Sequence, residues 1–420
     1  MKLNNYIIDL SKNKDSTMLF NSMNGEIIEI KKGLNSIEQN DIDYLKNNLF
    51  LKCTDFDEKK YVNSLENLNK YSSRKVSLVI HTNYSCNLKC KYCYQSMIEN
   101  PKIINPDVID EIVNFVYVLY EEKQPEIIEL CFIGGEPLLK IESMKSIIEN
   151  VENLNLDCKI HKNIISNGTL LSKNNIIEIE AMGIDFIQVT LDGPQNIHDK
   201  FRCSINGKGS YDLIIDNIEN ITPLLNGTQI TVNVNINKEN YLKIENLILD
   251  LKKRKIDHPL IFSLVFENEK SKLGYIFSSI ELQDIWFKIH KLCIEYGYTF
   301  DPLYRTGGVN CGYYLENEFN ISPDGMLFKC ISGMENEEFE ICKMSEYGSG
   351  IYNERVSNYI ENRNVNLSVC EGRDCKYWLI CGGGCVFNKK IQGDFCNKIE
   401  FENNDLKLIK YVYEKECNNV

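Results

Sequence analysis

Basic charge is in short supply in this chain of 420 residues: 47 Lys and Arg stand against 60 Asp and Glu, for a formal net charge of −13. Binding along a phosphate backbone needs clustered cations, so the composition argues against nucleic acid as a partner. Long hydrophobic runs are missing too. No stretch approaches the roughly 18 uncharged apolar residues of a membrane span, and the start, MKLNNYIIDLSKNKDS, has no apolar segment of signal-peptide length behind a basic flank. The expectation is a cytoplasmic protein with no membrane partner. Proline is scarce at 9 residues, and 43% hydrophobic with 25% charged residues is an ordinary globular balance without disordered or collagenous bias. A length prior of about 150 residues per domain then suggests two or three domains. What the chain has in excess is cysteine, 17 residues. Disulfides seldom persist in a reducing compartment, so this many thiols point to metal or redox chemistry.

Residues 1–75 read as a small separate unit. Short alternating stretches (Tyr6-Ile7-Ile8, Met18-Leu19-Phe20, Ile27 to Ile30) precede a polar amphipathic region from Ser36 to Leu68. Such a unit is either a structural cap on the next domain or a peptide-binding module. From residue 76 the pattern changes to short apolar runs ending in Gly, Asn or Asp, each followed by a helix-length amphipathic stretch. Strands are expected at Val76 to His81, Ile127 to Ile133, Lys159 to Ile165, Asp185 to Leu191, Gln229 to Ile236 and Leu260 to Phe266. Helices are expected near 106–122, 141–153, 172–182, 210–222, 239–253 and 280–295. Near-continuous apolar strands alternating with helices imply a helix-covered parallel sheet, and six such units suit an α/β fold of the partial (βα)6 TIM-like kind. Chemistry in such folds collects at the strand C-terminal ends. The domain spans about 76–300. The tail, 301–420, has weak periodicity and holds eight cysteines from Cys311 to Cys396, plus Cys417. So loop-rich a region needs bound metal for part of its folding energy.

Cys86-Asn-Leu-Lys-Cys90-Lys-Tyr-Cys93 places three cysteines within eight residues, directly after the first core strand. Structural zinc usually takes four N or S ligands from paired knuckles, and no fourth Cys or His follows closely. Three thiolates on a short loop suit three irons of a 4Fe-4S cluster, leaving the fourth iron open to a small molecule. This CxxxCxxC arrangement, with Tyr92 before its third Cys, resembles the radical S-adenosylmethionine (radical SAM) enzymes. Gly134-Gly135-Glu136-Pro137, one βα unit later, resembles that family's GGEP segment, whose backbone and carboxylate bind the amino group of the SAM methionine.

The resemblance implies that Ser166 and Asn167, then Thr190 with Asp192 close by, line the SAM pocket at the next two strand ends, with Asn233 or Asn235 approaching from the fifth. Arg202 either pairs with a carboxylate of SAM or substrate, as a guanidinium fork can, or forms an ion pair that orders its own loop. The family chemistry implied is reductive cleavage of SAM to a 5′-deoxyadenosyl radical that abstracts hydrogen from substrate. Catalysis therefore rests on Cys86, Cys90 and Cys93 and on a reductant such as flavodoxin or ferredoxin. Cys131, Cys158 and Cys293 lie in apolar stretches and read as buried hydrophobes.

Further on, Cys311, Cys330, Cys370, Cys375, Cys381, Cys385 and Cys396 are similar to the seven-cysteine SPASM pattern, a C-terminal extension of certain radical SAM enzymes that typically holds two auxiliary Fe-S clusters. The gap between Cys370 and Cys375 is longer than the usual one. Taken alone, four such cysteines also suit a zinc knuckle. By resemblance Cys370, Cys375, Cys381 and Cys396 hold a distal cluster, while Cys311, Cys330 and Cys385 hold a nearer one. Either Cys342 completes that nearer cluster, or one iron is free for a substrate thiolate. In all, three 4Fe-4S clusters and SAM are implied.

Within this subfamily two uses compete. Sulfatase-maturating relatives carry an Asp base immediately after the Cys of the Gly-x4-Cys segment; this chain has Ile331 there and no carboxylate until Glu335. Peptide maturases commonly add an N-terminal winged-helix-like module that pairs a strand edge with the leader of a precursor peptide. The sequence therefore favours a maturase of ribosomally made peptides that joins a Cys sulfur of a Cys-rich precursor to carbon, as in sactipeptides and ranthipeptides. Sulfatase maturation, epimerisation and carbon-carbon crosslinking are the alternatives.

Overall fold

The computed structural model describes residues 2–11, 16–31, 37–53, 56–98, 101–265, 274, 277, 281–282, 284–298, 311–347, 375–387 and 398–418. The N-terminal alternating stretches form three antiparallel strands, β1 (Ile7–Asp9), β2 (Ser16–Asn21) and β3 (Ile27–Lys31), in the order β1-β2-β3. The polar region after them forms two helices, α1 (Gln39–Asn47) and α2 (Glu58–Lys70). Asp57 caps α2 by accepting from the Lys60 backbone N–H.

The six expected core strands are all present: β4 (Lys75–His81), β6 (Ile127–Ile133), β7 (Lys159–Ser166), β8 (Phe186–Thr190), β10 (Gln229–Ile236) and β11 (Leu260–Leu264), all parallel. Between them run helices α3 (Pro106–Lys123), α4 (Ile141–Glu152), α5 (Lys173–Ala181), α6 (Gln195–Phe201), α7 (Tyr211–Ile221) and α8 (Ile244–Lys253). Two short strands, β5 (Leu88–Cys90) and β9 (Arg202–Ser204), pair separately and antiparallel.

The strands are two-faced rather than apolar throughout. Leu78, Leu130, Ile164, Val189 and Val232 lie in the helix-covered core at 0–1% exposure. Residues of opposite parity, including Ser77, Glu129, Asn163, Gln188 and Asn235, give the other face a polar surface. Cys131 belongs to that second face and is half-buried, as is Cys158, so only Cys293 is the buried hydrophobe expected of all three.

A second departure lies in the tail. Residues expected to be loop form β12 (Glu318–Ile321), β13 (Met326–Phe328) and β14 (Glu340–Lys343), which extend the sheet to the order β11-β10-β8-β7-β6-β4-β12-β13-β14. β12 is parallel to β4, a non-local pairing that a periodicity window of local sequence cannot detect.

Contacts divide the chain into two compact units, neither continuous in sequence: residues 73–277 with 317–360, and residues 1–72 with 278–316 and 361–420. The second of these also contains α9 (Ile285–Glu295), α10 (Trp378–Cys381), α11 (Lys398–Asn403) and α12 (Asp405–Asn418). Its interior joins the two ends of the chain. Tyr6, Met23 and Val62 pack on Trp378 and Leu379, while Ile8, Met18 and Phe20 pack on Tyr377, Ile380, Phe401 and Ile409. No helix among the described residues is long and apolar enough to cross a membrane.

Candidate active site

The cysteine loop leaves β4 and is held from below by the segment that leaves β6. The Gly135 N–H donates to Asn83 O at 2.9 Å, the Glu136 N–H donates to Ser85 O at 3.0 Å, and Asn83 Nδ2 donates back to Glu136 O at 3.0 Å. The approach is so close that a Cβ on Gly135 would stand 2.1 Å from Ser85 O, and one on Gly134 2.2 Å from Asn83 O. This is the physical reason for two successive glycines: the strand-end loop must press its bare backbone against another backbone.

Glu136 is fully buried. Its carboxylate accepts from Leu138 N (3.2 Å), Ser166 Oγ (2.9 Å) and Asn167 N (2.7 Å), which ties the ends of β6 and β7 together. Burial raises its pKa to about 6, against the opposing pull of these hydrogen bonds. Asn167 reaches the cysteine loop, donating from Nδ2 to Asn87 Oδ1 at 2.9 Å and to Cys86 Sγ at 3.6 Å. Thr169 accepts from Asn87 Nδ2 at 2.8 Å.

On the opposite side the loop is fastened through Tyr92. Its hydroxyl donates to the Asp192 carboxylate and accepts from Arg202 Nη1 (2.7 Å) and Asn235 Nδ2 (3.0 Å), which uses its full hydrogen-bonding capacity. Of the two asparagines considered on β10, Asn235 bonds Tyr92 directly, while Asn233 donates from Nδ2 to Asn235 Oδ1 at 3.2 Å and accepts from Ser263 Oγ at 2.9 Å. Thr190 is buried and sits opposite Asn233 in the β8–β10 register.

His198 was only part of a loop in the sequence, yet it organises this region. Its Nδ1 accepts from the Asp192 N–H (3.2 Å), so the proton resides on Nε2, which faces Ser210 Oγ at 2.9 Å; Ser210 in turn donates to Arg202 O at 2.6 Å. Burial lowers the His198 pKa well below its ordinary value and keeps the ring neutral. The proximity of His198 to Arg202 in sequence was visible, but its partners Asp192 and Ser210 come from loops that only the fold brings in.

The three thiols fit an iron-sulfur cluster. Cys86 and Cys90 are raised chiefly by burial, Cys90 to about 12, and each of the three repels another as a thiolate. All three are half-buried, and as thiolates in such a site they are stabilised by a cation-bearing partner. Among the described residues no group of three or more His, Cys, Asp or Glu is gathered around one metal position, and in a cluster each thiolate takes a different iron, so the sulfurs need not converge on a point.

In the other unit, Gly382, Gly383 and Gly384 all adopt left-handed backbone (φ of 56°, 87° and 83°) and turn the chain between Cys381 and Cys385. Tyr314, 1% exposed, feels Cys311, Cys385 and Cys381 electrostatically. Among the described residues its buried hydroxyl has no hydrogen-bond partner, so a sulfur-rich group set among these thiols would fit. Cys375 packs against the clusters around Tyr377 and Trp378. Cys330 belongs to the core unit, where it and Cys93 both act electrostatically on half-buried Tyr94. Cys342 is buried in β14. Cys370 and Cys396 lie outside the described residues.

The structure thus places the triple-cysteine loop at the C-terminal edge of an open α/β sheet, backed by the Gly-Gly-Glu-Pro turn, as the resemblance to radical SAM enzymes predicts. Residues 79–251 match the radical SAM superfamily model, a family that implies a 4Fe-4S cluster and SAM. Over 345 residues the chain is 24% identical to a cysteine-type anaerobic sulfatase-maturating enzyme of Clostridium novyi (strain NT), covering 73% of this chain and 86% of that one. Two solved structures share the fold. The anSMEcpe protein with bound AdoMet and Kp18Cys peptide aligns at a TM-score of 0.65 and 17% identity, over 82% of this chain and 100% of that one. Streptococcus suis SuiB bound to precursor peptide SuiA aligns at 0.55 and 16%, over 92% and 96%.

Proposed function

We propose that this chain is a radical SAM peptide maturase that installs a thioether between a Cys sulfur and a carbon of a Cys-rich precursor peptide. The observation that carries the reading is the packing of the N-terminal sheet on the Cys375–Cys385 segment in one body. It unites a strand edge suited to adding an extended leader peptide with a thiol-rich site. The peptide ligands named for anSMEcpe and SuiB support a peptide substrate here.

Ile331 supports crosslinking over sulfatase maturation. It opens a short 3-10 turn after Cys330, and the next carboxylate, Glu335, is engaged by Tyr84 Oη at 2.8 Å and Lys102 Nζ at 2.7 Å.

In this reading Cys86, Cys90 and Cys93 hold the SAM-binding cluster. Glu136, Ser166, Asn167, Thr190 and Asp192 surround SAM, and Cys311, Cys330, Cys375, Cys381 and Cys385 with Cys370 and Cys396 serve auxiliary clusters. Bound together, cluster and SAM supply a hydrogen-abstracting radical. The chain's own residues fix the loop, cover the thiols in part and exclude water. A flavodoxin or ferredoxin supplies the electron.

The test is co-expression with the small Cys-rich open reading frames beside the gene. A product lighter by two hydrogens, with the loss mapped to a Cys, is the expected result; unchanged mass with an altered stereocentre would replace crosslinking by epimerisation. Changing Cys86, Cys90 and Cys93 together to Ala should remove one cluster's iron and all 5′-deoxyadenosine formation. Unchanged iron would refute the assignment of that loop.

A further inference from the structure

In a chain where 60 of 420 residues are acidic, two stretches carry no Asp or Glu at all: Ser85 to Ile98 and Lys200 to Ser210, which between them hold Lys89, Lys91, Lys200, Arg202 and Lys208. The fold brings the two together in the β5–β9 ribbon, where Lys89 stands opposite Cys203 and Cys90 opposite Arg202. Side chains alternate across a strand, so the ribbon has two unlike faces. Leu88, Cys90 and Arg202 share the inner one, where Leu88 and Arg202 are buried. Lys89 and Cys203 share the outer one, and Cys203 is bridged in turn to Gly209. Lys208, whose carbonyl accepts from Ser204 N at 2.8 Å, follows the same ribbon. Lys89 and Lys208 are exposed, and neither forms an ion pair among the described residues. Ile205, just past β9, is 68% exposed. At the end of the ribbon the Lys91 and Lys200 ammonium groups stand 5.8 Å and 5.7 Å from the centroid of the buried Phe201 ring, an attraction that favours holding both there. Lys200 is also paired with Glu239.

We infer that the outer face of this ribbon is the docking surface for an acidic one-electron carrier protein that reduces the SAM-binding cluster. Three features fit that occupant. A cationic patch on a chain of net charge −13 gives an acidic partner an orientation in which attraction replaces repulsion. Exposed Ile205 supplies an apolar anchor among charged neighbours. The patch also lies on the back of the strand that carries Cys90, so a partner seated there is separated from that thiolate by the thickness of one strand. In the transfer the carrier is oxidised by one electron and the cluster is reduced by one, with no atom moved and no bond made or broken. The inference places the reductant of the proposed function and rests on the assignment of the cluster to Cys86, Cys90 and Cys93. It does not depend on which peptide is modified.

The test uses the full-length, cluster-loaded protein with SAM and follows 5′-deoxyadenosine under two reductants: dithionite, a small reagent that needs no docking surface, and reduced flavodoxin at increasing concentration. Lys89→Glu combined with Lys208→Glu should raise the flavodoxin concentration for half-maximal rate by about tenfold, while iron content and the dithionite-driven rate stay at the wild-type level. Lys159→Glu combined with Lys253→Glu makes the same charge change where β7 begins and α8 ends, and should leave the flavodoxin dependence unaltered. Added salt should slow the flavodoxin-driven rate in wild type and in that control, and less in the ribbon variant. An unchanged half-saturation in the ribbon variant overturns the inference. So does an equal shift in both double variants, which would reflect net charge alone. Should the ribbon variant lose iron, Lys89→Gln and Lys208→Gln decide singly, since half-saturation unchanged in both contradicts docking there. If the ribbon variant takes electrons from flavodoxin as wild type does yet no longer modifies the co-expressed precursor, the face belongs to the peptide and the inference fails. Wild-type protein that cleaves no SAM under dithionite would remove the cluster assignment and the inference with it, whereas failure to find a crosslinked peptide would bear only on the proposed function.

Discussion

Replacing Gly135 by Ala should damage this protein more than its single added methyl suggests. The new Cβ would lie 2.1 Å from Ser85 O, 2.4 Å from Ser85 C and 2.8 Å from Tyr84 O, where ordinary contact begins near 3.4 Å. All three neighbours are backbone, so no side chain can swing aside, and the two loops must separate by more than 1 Å. That separation breaks the Gly135 N–H to Asn83 O and Glu136 N–H to Ser85 O bonds. Losing two buried backbone bonds costs about 1 kcal/mol each and more if the groups stay dry, and overpacking adds about 1–3 kcal/mol. The sum is about 3–5 kcal/mol, or roughly 10 °C of melting temperature for a body of this size. Gly207→Ala is the matched control. There the backbone is left-handed (φ 79°) and a Cβ meets nothing within 4 Å, so only the conformational cost of about 1–2 kcal/mol applies. Anaerobic differential scanning fluorimetry of both variants, with 5′-deoxyadenosine yield as the second readout, separates the cases. If Gly135→Ala melts with Gly207→Ala and still cleaves SAM, the backbone approach is not what requires glycine.

Two further expectations concern different parts of the molecule. Glu136 has a folded pKa raised to about 6 from 4.5, so its protonated form favours folding, and its contribution is lost as pH rises through that value. Stability from this group should decline by about 1 kcal/mol between pH 5 and pH 7, and urea titrations of Glu136→Gln at those two pH values should lack that decline. An equal decline in the variant would place the pH dependence elsewhere. Trp378, 2% exposed between Tyr6, Met23 and Val62, should cost about 3–5 kcal/mol when changed to Ala. Limited proteolysis should then cut within residues 1–72 sooner than in wild type, and unaltered cleavage there would contradict the shared core.

Much of the core was legible because its signals are local. Ile127–Ile133 and Gln229–Ile236 appear as strands over the same residues expected from their apolar runs, and α3 follows its amphipathic pattern with Asn105 capping Val108 N ahead of Pro106. The cysteine loop and the Gly-Gly-Glu-Pro turn were legible for the same reason, since their spacing is written in consecutive residues. β12 to β14 were not, because strands of three or four residues are too short for a periodicity signal and the first of them, β12, gains its stability from β4, far away in sequence.

By itself, then, the sequence determined the chemistry of the donors: soft thiols in a tight spacing, a carboxylate behind two glycines, and six βα units to carry them. Only tertiary structure decided what those residues touch. Arg202 faces Cys90 and Tyr92 because β9 pairs with β5, His198 is a neutral strut because Asp192 N and Ser210 Oγ enclose it, and Trp378 meets Tyr6 across most of the chain's length. Hydrogen-bond partners and packed neighbours at long sequence separation are set by how elements close on one another, and no local pattern of residue types encodes that closure.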